Sequence, residues 1–321
     1  MAVPYDTSPS NKAVEFENTD LPDIIELKNI LQIYETKKGP FTVIKDLNLL
    51  IEDKPNQGQF VVILGTSGCG KSTVLRYIAA LQQPTSGDIL IKGKAQFPDF
   101  YIPMVFQKYS SLENLSVLDN VALGLEIAGE SKKVRHEKAM AIIKKVGLLG
   151  HEKKYAKYPN LSGGQLQRVA IARCLLTNPD ILLMDEPFGA LDSHTRFMMQ
   201  ELLAKLWLEL QLTCIFVTHD IPEAVYLADE IVLMRSNPGQ IVERIEVPFG
   251  LERPKELKRS KKFTDMVFYI EDRLTKLGEL GLASANAKAT DNITSPPLPE
   301  PESKPPEAGE LPSQPQKRTK W

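Results

Sequence analysis

The segment that most restricts the fold of this chain is residues 65–72, a glycine-rich run that reads GTSGCGKS. It matches the spacing G-x-x-x-x-G-K-[ST], and it stands between QFVVILG, an apolar run typical of a buried strand, and KSTVLRYIAAL, whose apolar residues recur at helical spacing. A glycine turn that caps an ordinary helix is the alternative, and the two flanking elements make it much less well supported. The pattern therefore predicts a phosphate-binding loop in an α/β core, although such a loop alone leaves the reaction open.

Each residue type in this loop has a physical role. The glycines let backbone N–H groups curl around a phosphate, and the positive end of the following helix favours an anion. We expect Lys71 to reach the β- and γ-phosphate oxygens and Ser72 to offer its hydroxyl to Mg²⁺. The loop residues that we predict to bind nucleotide are Gly65, Thr66, Ser67, Gly68, Cys69, Gly70, Lys71, Ser72 and Thr73.

Charge and cysteine usage exclude several other classes of protein. The 39 basic and 41 acidic residues give a formal charge of -2, so no overall attraction to nucleic acid is evident. The 3 cysteines contain no CxxC pair, which argues against a disulfide framework or a zinc site and fits a reducing cytosol. No apolar run approaches the roughly 18 residues of a membrane span, so we expect any membrane connection to go through a partner.

Two acidic residues end a second apolar run, ILLMDEP, which predicts a buried central strand. Because the carboxyl ends of parallel strands lie beside the phosphate loop, Asp185 could hold Mg²⁺ and Glu186 could polarise an attacking water. The same pair could simply end the strand in a solvated turn. By themselves these two residues leave both interpretations open.

Residues 161–165 read LSGGQ, and together with the following LQRVAIARCLL they resemble the signature motif of ABC ATPases. Ser162 can cap a helix whose first-turn N–H groups suit an anion. The resemblance implies that the motif faces the phosphate loop of a second subunit, so that neither subunit alone owns a complete site. The motif residues that it assigns to the γ-phosphate are Ser162, Gly163, Gly164 and Gln165.

Further residues match the ABC ATPase pattern in the order expected for that family. Gln107 in VFQ matches the glutamine loop, Asp192 in GALD the dimer-contact loop, and His219 in VTHD the switch histidine. Tyr34 resembles the aromatic residue that stacks on adenine, with an ordinary core or surface tyrosine as the alternative. The resemblance thus implies a catalytic set of Glu186, His219 and Gln107 and a metal set of Ser72, Gln107 and Asp185.

The resemblance covers roughly residues 24–250 and implies a fold. We expect the α/β ABC ATPase fold of the P-loop NTPases, with a mixed sheet core, an antiparallel β-subdomain and a helical subdomain. We predict the ATPase domain at residues 23–250, with the helical subdomain at about 108–177. We also expect a flexible leader at 1–22, a C-terminal helical extension at 251–283 and a disordered Pro-rich tail at 284–321.

The implied function is that of an ATP-binding and ATP-hydrolysing importer subunit, with ATP and Mg²⁺ as its cofactors. GALDSHTR, VTHDIPEAVYLADEIVLM and PGQIVERIEVP resemble the importer group for nitrate, sulfonate, taurine and related small anions. The resemblance leaves nitrate, bicarbonate, a sulfonate, and a nitrogenous or pyrimidine compound as alternative solutes. The partners implied are a second copy or a paired ATPase subunit, an integral membrane permease and a solute-binding protein. The chain would then be cytoplasmic and peripheral on the inner (plasma) membrane.

Two other functions fit the same nucleotide-binding motifs. A soluble ABC ATPase acting on DNA or ribosomes would normally carry a long coiled-coil insertion or two tandem cassettes, and this sequence has neither. A nucleotide-sensing regulator could use the Pro-rich tail to recruit a partner, although such segments are more often spacers. We therefore expect no nucleic-acid partner.

Overall fold

The computed structural model describes residues 23–37, 39–54, 57–95 and 101–290. The predicted leader and the part of the predicted tail beyond residue 290 lie outside these ranges. Within them the strands, in chain order, are β1 (Asp23–Thr36), β2 (Gly39–Glu52), β3 (Phe60–Gly65), β4 (Ser86–Ile91), β5 (Lys94–Ala95), β6 (Met104–Val105), β7 (Ile181–Asp185), β8 (Thr213–Thr218), β9 (Glu230–Arg235) and β10 (Gln240–Glu246).

Most helices of the described part begin directly after a short polar residue that caps them. Ser116, Ser131, Ser162, Asp192 and Asp220 each accept a backbone N–H of a first helical turn, as short polar side chains at this position usually do. The helices are α1 (Lys71–Ile78), α2 (Val117–Ile127), α3 (Lys132–Lys145), α4 (Gly163–Leu175), α5 (Ser193–Leu210), α6 (Ile221–Leu227) and α7 (Lys261–Thr290).

The central sheet has six strands in the order β10-β9-β3-β8-β7-β6. Its strands run parallel except for β10, which pairs antiparallel with β9. The apolar runs of β3, β7 and β8 are buried on both faces, as expected for parallel strands covered by other layers. The phosphate loop and the acid pair follow β3 and β7 at the carboxyl edge of this sheet.

Side chains that alternate along β3 point to two different cores. Val61 and Ile63 pack with α1 and with a second, four-stranded antiparallel sheet in the order β2-β1-β4-β5. Phe60, Val62 and Leu64 pack on the opposite face, against α4, α5 and α6. The expectation of a mixed sheet with an antiparallel β-layer and helices is confirmed.

The helical part lies beside the β6 edge of the central sheet. Helices α2, α3 and α4 pack on one another, and α4 also contacts β6. All three fall inside residues 108–177, where we predicted the helical subdomain. Helix α4 carries the LSGGQ segment at its N-terminus, whereas the predicted phosphate loop and the acid pair follow strands of the central sheet.

The C-terminal segment begins with a 3-10 helix, Lys255–Arg259, and continues as α7. Phe263 and Ile270 of α7 are buried in the core that contains α6 and β9. Helix α7 continues to Thr290, past the boundary between residues 283 and 284 that the sequence predicts. Residues 283–290 contain 4 alanines, which favour helix, and the prolines of the tail begin only at residue 296. No helix in the described ranges is long and apolar enough to cross a membrane.

Candidate nucleotide-hydrolysis site

The predicted phosphate loop joins β3 to α1 with little room for side chains. Gly70 is the residue before α1 and has a φ of 101°, a left-handed value that other L-residues rarely adopt. A Cβ added at Gly65 would lie 2.3 Å from the carbonyl oxygen of Met234 in β9. Both glycines are therefore required by the backbone path of the loop.

Lys71 is the first residue of α1, and its side chain turns back over the loop. Only 5% of the residue is exposed. Its Nζ donates to the carbonyl oxygen of Gly65 at 2.8 Å and to that of Thr66 at 3.1 Å. The ammonium group thus lies against the loop backbone at the positive end of α1, where negative charge is favoured.

Ser72 and Asp185 bring the loop and the β7 carboxylate together. Ser72 Oγ donates to Asp185 Oδ1 at 2.7 Å. Burial raises the pKa of Asp185, whereas the Ser72 hydrogen bond and the charge of Lys71 act in the opposite direction. A hydroxyl and a carboxylate oxygen at this separation are the kind of donors that Mg²⁺ prefers.

The carboxylate of Glu186 contacts both of the other predicted catalytic residues. Gln107 Nε2 lies 3.4 Å from Glu186 Oε2, and His219 Nδ1 lies 3.1 Å from the same oxygen. Glu186 has a φ of 43°, and its backbone N–H donates to the carbonyl oxygen of Val217 at 2.9 Å. A strained backbone at a polar cluster is typical of a functional site. The structure therefore brings together three residues that are far apart in the sequence.

The signature segment forms a reciprocal cap on α4. Gln165 N–H donates to Ser162 Oγ at 3.3 Å, and Ser162 N–H donates to Gln165 Oε1 at 2.9 Å. A Cβ added at Gly163 would lie 2.2 Å from the Tyr109 hydroxyl, and one at Gly164 would lie 2.5 Å from Thr195 Cγ2. These glycines allow the start of α4 to approach its neighbours closely.

The signature segment does not join the phosphate loop within one chain. No hydrogen bond among the residues the structure describes links residues 162–165 to residues 65–73. Asp192 caps α5 and accepts from Thr195 N–H at 3.0 Å, which lowers the pKa of its carboxyl. Tyr34 is 40% exposed near the end of β1, where its hydroxyl accepts from Gln82 Nε2 at 2.7 Å. Its adenine contact stays a prediction.

Several residues around the site are not suggested by any sequence motif. Tyr109 and Ser110 follow Gln107 and connect it to α4, Tyr109 through Gly163 and Ser110 through a 2.8 Å hydrogen bond from Arg173 Nη2. These contacts join residues that are far apart in the sequence, so no local pattern predicts them. The only sequence indication for Tyr109 and Ser110 is that they closely follow Gln107. Beside His219 lies a second group to which the motifs assign no role. It includes Arg196, Gln200, Thr218, Asp220, Glu223 and Lys258.

An apolar groove of about 320 Å³ runs between α1, β6 and the α2–α4 pair. Tyr101 is 83% exposed and Ile127 is 79% exposed along this groove. Large exposed apolar side chains in one place indicate a surface that another protein covers. The other residues that line the groove include Leu81, Ile102, Phe106, Leu123 and Cys174.

Comparisons with known proteins agree on one family. The family model described as ABC transporter matches residues 47–189. The chain is 44% identical over 242 residues to the taurine import ATP-binding protein TauB of Escherichia coli (strain K12), which spans 74% of this chain and 92% of that protein.

Solved structures agree with this match. The dimeric post-hydrolysis state of the ATP-binding cassette MJ0796, bound to ADP and Pi, is 33% identical with a TM-score of 0.60, over 70% of this chain and 98% of that one. A structure of cbiO1 from Clostridium perfringens, part of the ABC transporter complex cbiONQ, is 26% identical with a TM-score of 0.59, over 81% of this chain and 98% of that one.

The 44% identity to TauB covers 92% of that protein, so the similarity is not confined to the nucleotide-binding loop. The chain therefore belongs to the ABC transporter ATP-binding proteins, the subunits that hydrolyse ATP for ABC transporters.

Proposed function

We propose that this chain hydrolyses ATP between two subunits and thereby drives a permease that imports a small anion. The observation that carries the proposal is the convergence of Gln107 and His219 on one carboxylate oxygen of Glu186. In this proposal Glu186 is the general base, and His219 and Gln107 hold the attacking water and the γ-phosphate in register.

The phosphate loop supplies binding and charge compensation. Lys71 exchanges its two loop carbonyl acceptors for phosphate oxygens, while the α1 N-terminus stabilises the negative charge. Ser72, Asp185 and Gln107 would hold Mg²⁺, and the donor chemistry of the Ser72–Asp185 pair fits that ion. When bound, Mg²⁺ neutralises charge on the β- and γ-phosphates. Burial raises the pKa of Asp185, and the Ser72 hydrogen bond and the charge of Lys71 oppose that rise.

The second half of each site comes from the other subunit. In our proposal, the capped start of α4 presents its first-turn N–H groups to a γ-phosphate held by the partner subunit, and Ser162 and Gly163 make that contact. Among the described residues no hydrogen bond joins the start of α4 to the phosphate loop of the same chain, which supports this arrangement. Asp192 would line the same interface, and Tyr34 would stack on adenine. The dimeric structure of MJ0796 with ADP and Pi supports the pairing.

The apolar groove is the docking surface that we propose for the permease. It lies against β6, which leads into Gln107, and against α4, which carries the signature. A permease segment that binds there would lie against both β6 and α4, and so next to the elements that carry Gln107 and the signature motif. The chain would then be held on the cytoplasmic face of the membrane by its partner, as cbiO1 is part of a transporter complex.

The solute that we propose for the permease is a small anion. Similarity to TauB supports a sulfonate such as taurine, and the wider resemblance supports nitrate or bicarbonate carriers equally well. A solute-binding protein would deliver the anion to the permease. Reconstitution with the permease and the binding protein in vesicles would test this, with taurine, nitrate and bicarbonate as the solutes. Stimulation of ATP hydrolysis by none of them would contradict the solute class and leave the ATPase assignment intact.

Replacement of Glu186 tests the catalytic assignment directly. Glu186→Gln should lower ATP turnover of the purified chain by at least about 100-fold, because a positioned general base contributes factors of this size, while ATP binding is retained. Glu209→Gln is the matched control, since Glu209 is exposed and pairs with Lys145 on the helical part. If ATP turnover of the Glu186→Gln chain stayed within about twofold of that of the Glu209→Gln control, the assignment of Glu186 as general base would be contradicted.

A further inference from the structure

We propose that Lys258, in the C-terminal segment, is a positioning residue for ATP hydrolysis. It acts on the loop of His219 through a buried path of hydrogen bonds that passes through Gln200, Glu223 and Thr218. The inference rests on the proposed role of His219. It adds that a residue outside the central sheet affects the position of His219.

The path begins on both sides of His219. Thr218 Oγ1 donates to Glu223 Oε2 at 2.6 Å and accepts from the backbone N–H of Asp220 at 3.0 Å. The residues directly before and after His219 are therefore fixed to the same hydroxyl group. His219 itself is 57% exposed in its side chain, so its direction depends on these flanking contacts more than on packing.

Glu223 is the centre of the path. It is 4% exposed, and its second carboxylate oxygen accepts from Gln200 Nε2 at 2.9 Å. Burial raises the pKa of Glu223, and the hydrogen bonds from Thr218 and Gln200 oppose this effect. A buried carboxylate is costly unless its oxygens are satisfied, so all its partners are held in defined positions.

The carboxylate is not needed to cap α6. That helix is capped by Asp220, whose Oδ1 accepts from the backbone N–H of Glu223 at 2.9 Å. The spacing of Asp220 and Glu223 would normally predict a capping box, in which the glutamate turns back to the cap. Here the side chain of Glu223 turns to Thr218 and Gln200 instead, which connects α6 to the loop of His219 and to α5.

Lys258 closes the path from the C-terminal side. Gln200 uses its amide nitrogen on Glu223, so its oxygen needs a donor, and the ammonium of Lys258 donates to it. The ammonium also lies 4.0 Å from the centre of the Tyr226 ring and 4.6 Å from that of Phe197, positions in which a cation is attracted to the ring faces. Tyr226 in turn donates to the carbonyl oxygen of Arg253 at 2.6 Å, which holds the start of this segment in place.

Lys258 in the C-terminal segment is therefore connected by hydrogen bonds to the loop of His219, and none of these bonds involves the predicted phosphate loop. A displacement of Lys258 frees Gln200, then Glu223, and then the hydroxyl that fixes both neighbours of His219. The expected consequence is a lower rate of hydrolysis with unchanged ATP binding, because the phosphate loop takes no part in the path.

Lys258→Met tests this inference, because it keeps the apolar stem on the two rings and removes the ammonium. In the full-length chain we expect kcat at saturating ATP and Mg²⁺ to fall about tenfold, with the KM for ATP changed less than about twofold. Gln200→Leu removes the next residue of the same path, so it should also lower kcat and leave the KM for ATP nearly unchanged. Lys258→Arg should restore most of kcat, and Lys261→Met, on the exposed side of the same segment, is the control.

The decisive comparison is a double-variant cycle with His219→Ala. If Lys258 acts through His219, Lys258→Met should lower kcat about tenfold in the wild-type chain and less than about twofold in the His219→Ala chain. Equal losses in the two backgrounds would overturn the inference and leave the role of His219 standing. Wild-type turnover of His219→Ala would overturn the proposed role of His219 and the inference with it. The midpoint of thermal unfolding, measured for every variant, identifies any loss that comes from unfolding.

Discussion

Ser72 Oγ donates a 2.7 Å hydrogen bond to Asp185 Oδ1, and this contact joins residues that are 113 positions apart in the chain. It connects the first turn of α1 to the end of β7, so the phosphate loop and the acid pair are held as one unit. Because Asp185 is buried and Ser72 is the first contributor that opposes the resulting rise in its pKa, the hydroxyl also helps to keep the carboxylate ionised.

Loss of the Ser72 hydroxyl should show first in the metal requirement. Ser72→Ala removes one of the oxygen ligands that we propose for Mg²⁺, so the Mg²⁺ concentration for half-maximal ATP turnover should rise about tenfold. Titration of Mg²⁺ at fixed ATP measures this. Ser72→Thr keeps a hydroxyl and should behave as the wild type does. An unchanged Mg²⁺ requirement in the alanine variant would contradict the assigned ligand.

Gly164 tests how closely α4 packs on α5. A Cβ at this position would lie 2.5 Å from Thr195 Cγ2, so Gly164→Ala should lower the free energy of unfolding by about 1–3 kcal/mol and reduce turnover. Thr195→Ser removes the colliding methyl group and keeps the hydroxyl. The double variant should therefore recover most of both losses, as measured by urea unfolding and ATP turnover. No recovery would show that the methyl contact is not the cause.

The apolar groove can be tested without disturbing hydrolysis by the isolated chain. Ile127 is 79% exposed, so Ile127→Glu should leave folding and basal ATP turnover unchanged. It should abolish co-purification with the permease, because a carboxylate would be buried without a partner in the docked state. Leu149→Glu, an exposed apolar position outside the groove, is the control. Equal permease recovery by the two variants would contradict the proposed docking surface.

The sequence predicted the main elements of this fold because their signals are local. The phosphate loop, the acid pair and the serine cap of α4 each follow from short spacing rules, and the family resemblance added Gln107 and His219. Their convergence on Glu186 depends on the order of the central strands, which no local pattern encodes.

The errors and omissions have the same physical origin. The predicted start of the tail at residue 284 followed polar composition, whereas alanine-rich residues extend α7 to Thr290. The contacts of Glu223 and Lys258 link residues on α5, α6 and the C-terminal segment. Such contacts form only when the chain is folded, and the capping-box spacing at Glu223 predicts a different partner for its side chain.

The partly buried ammonium of Lys258 predicts a defined dependence of stability on pH. Burial lowers its pKa from 10.5 to about 8, while Glu223, Glu201 and Asp220 oppose the shift. Between these two values the unfolded chain binds more protons at this residue than the folded chain, so its contribution to stability increases as the pH rises from about 8 to 10.5.

The difference in the free energy of unfolding between the wild type and Lys258→Met should therefore shift in favour of the wild type across this range. Urea unfolding of the two chains at several pH values measures it. Lys261→Met, at an exposed position of the same segment, is the control. A difference that stays constant with pH would contradict the burial of a charged group at this position.

The most direct test of the account is the association state of the Glu186→Gln chain, because the account requires ATP to join two subunits. Sedimentation of the purified variant should show a dimer with ATP and a monomer with ADP, since only ATP offers a γ-phosphate to the signature helix of the partner. Addition of Lys71→Ala to the same chain should abolish the dimer. A chain that binds ATP and remains monomeric at every concentration measured would contradict the account.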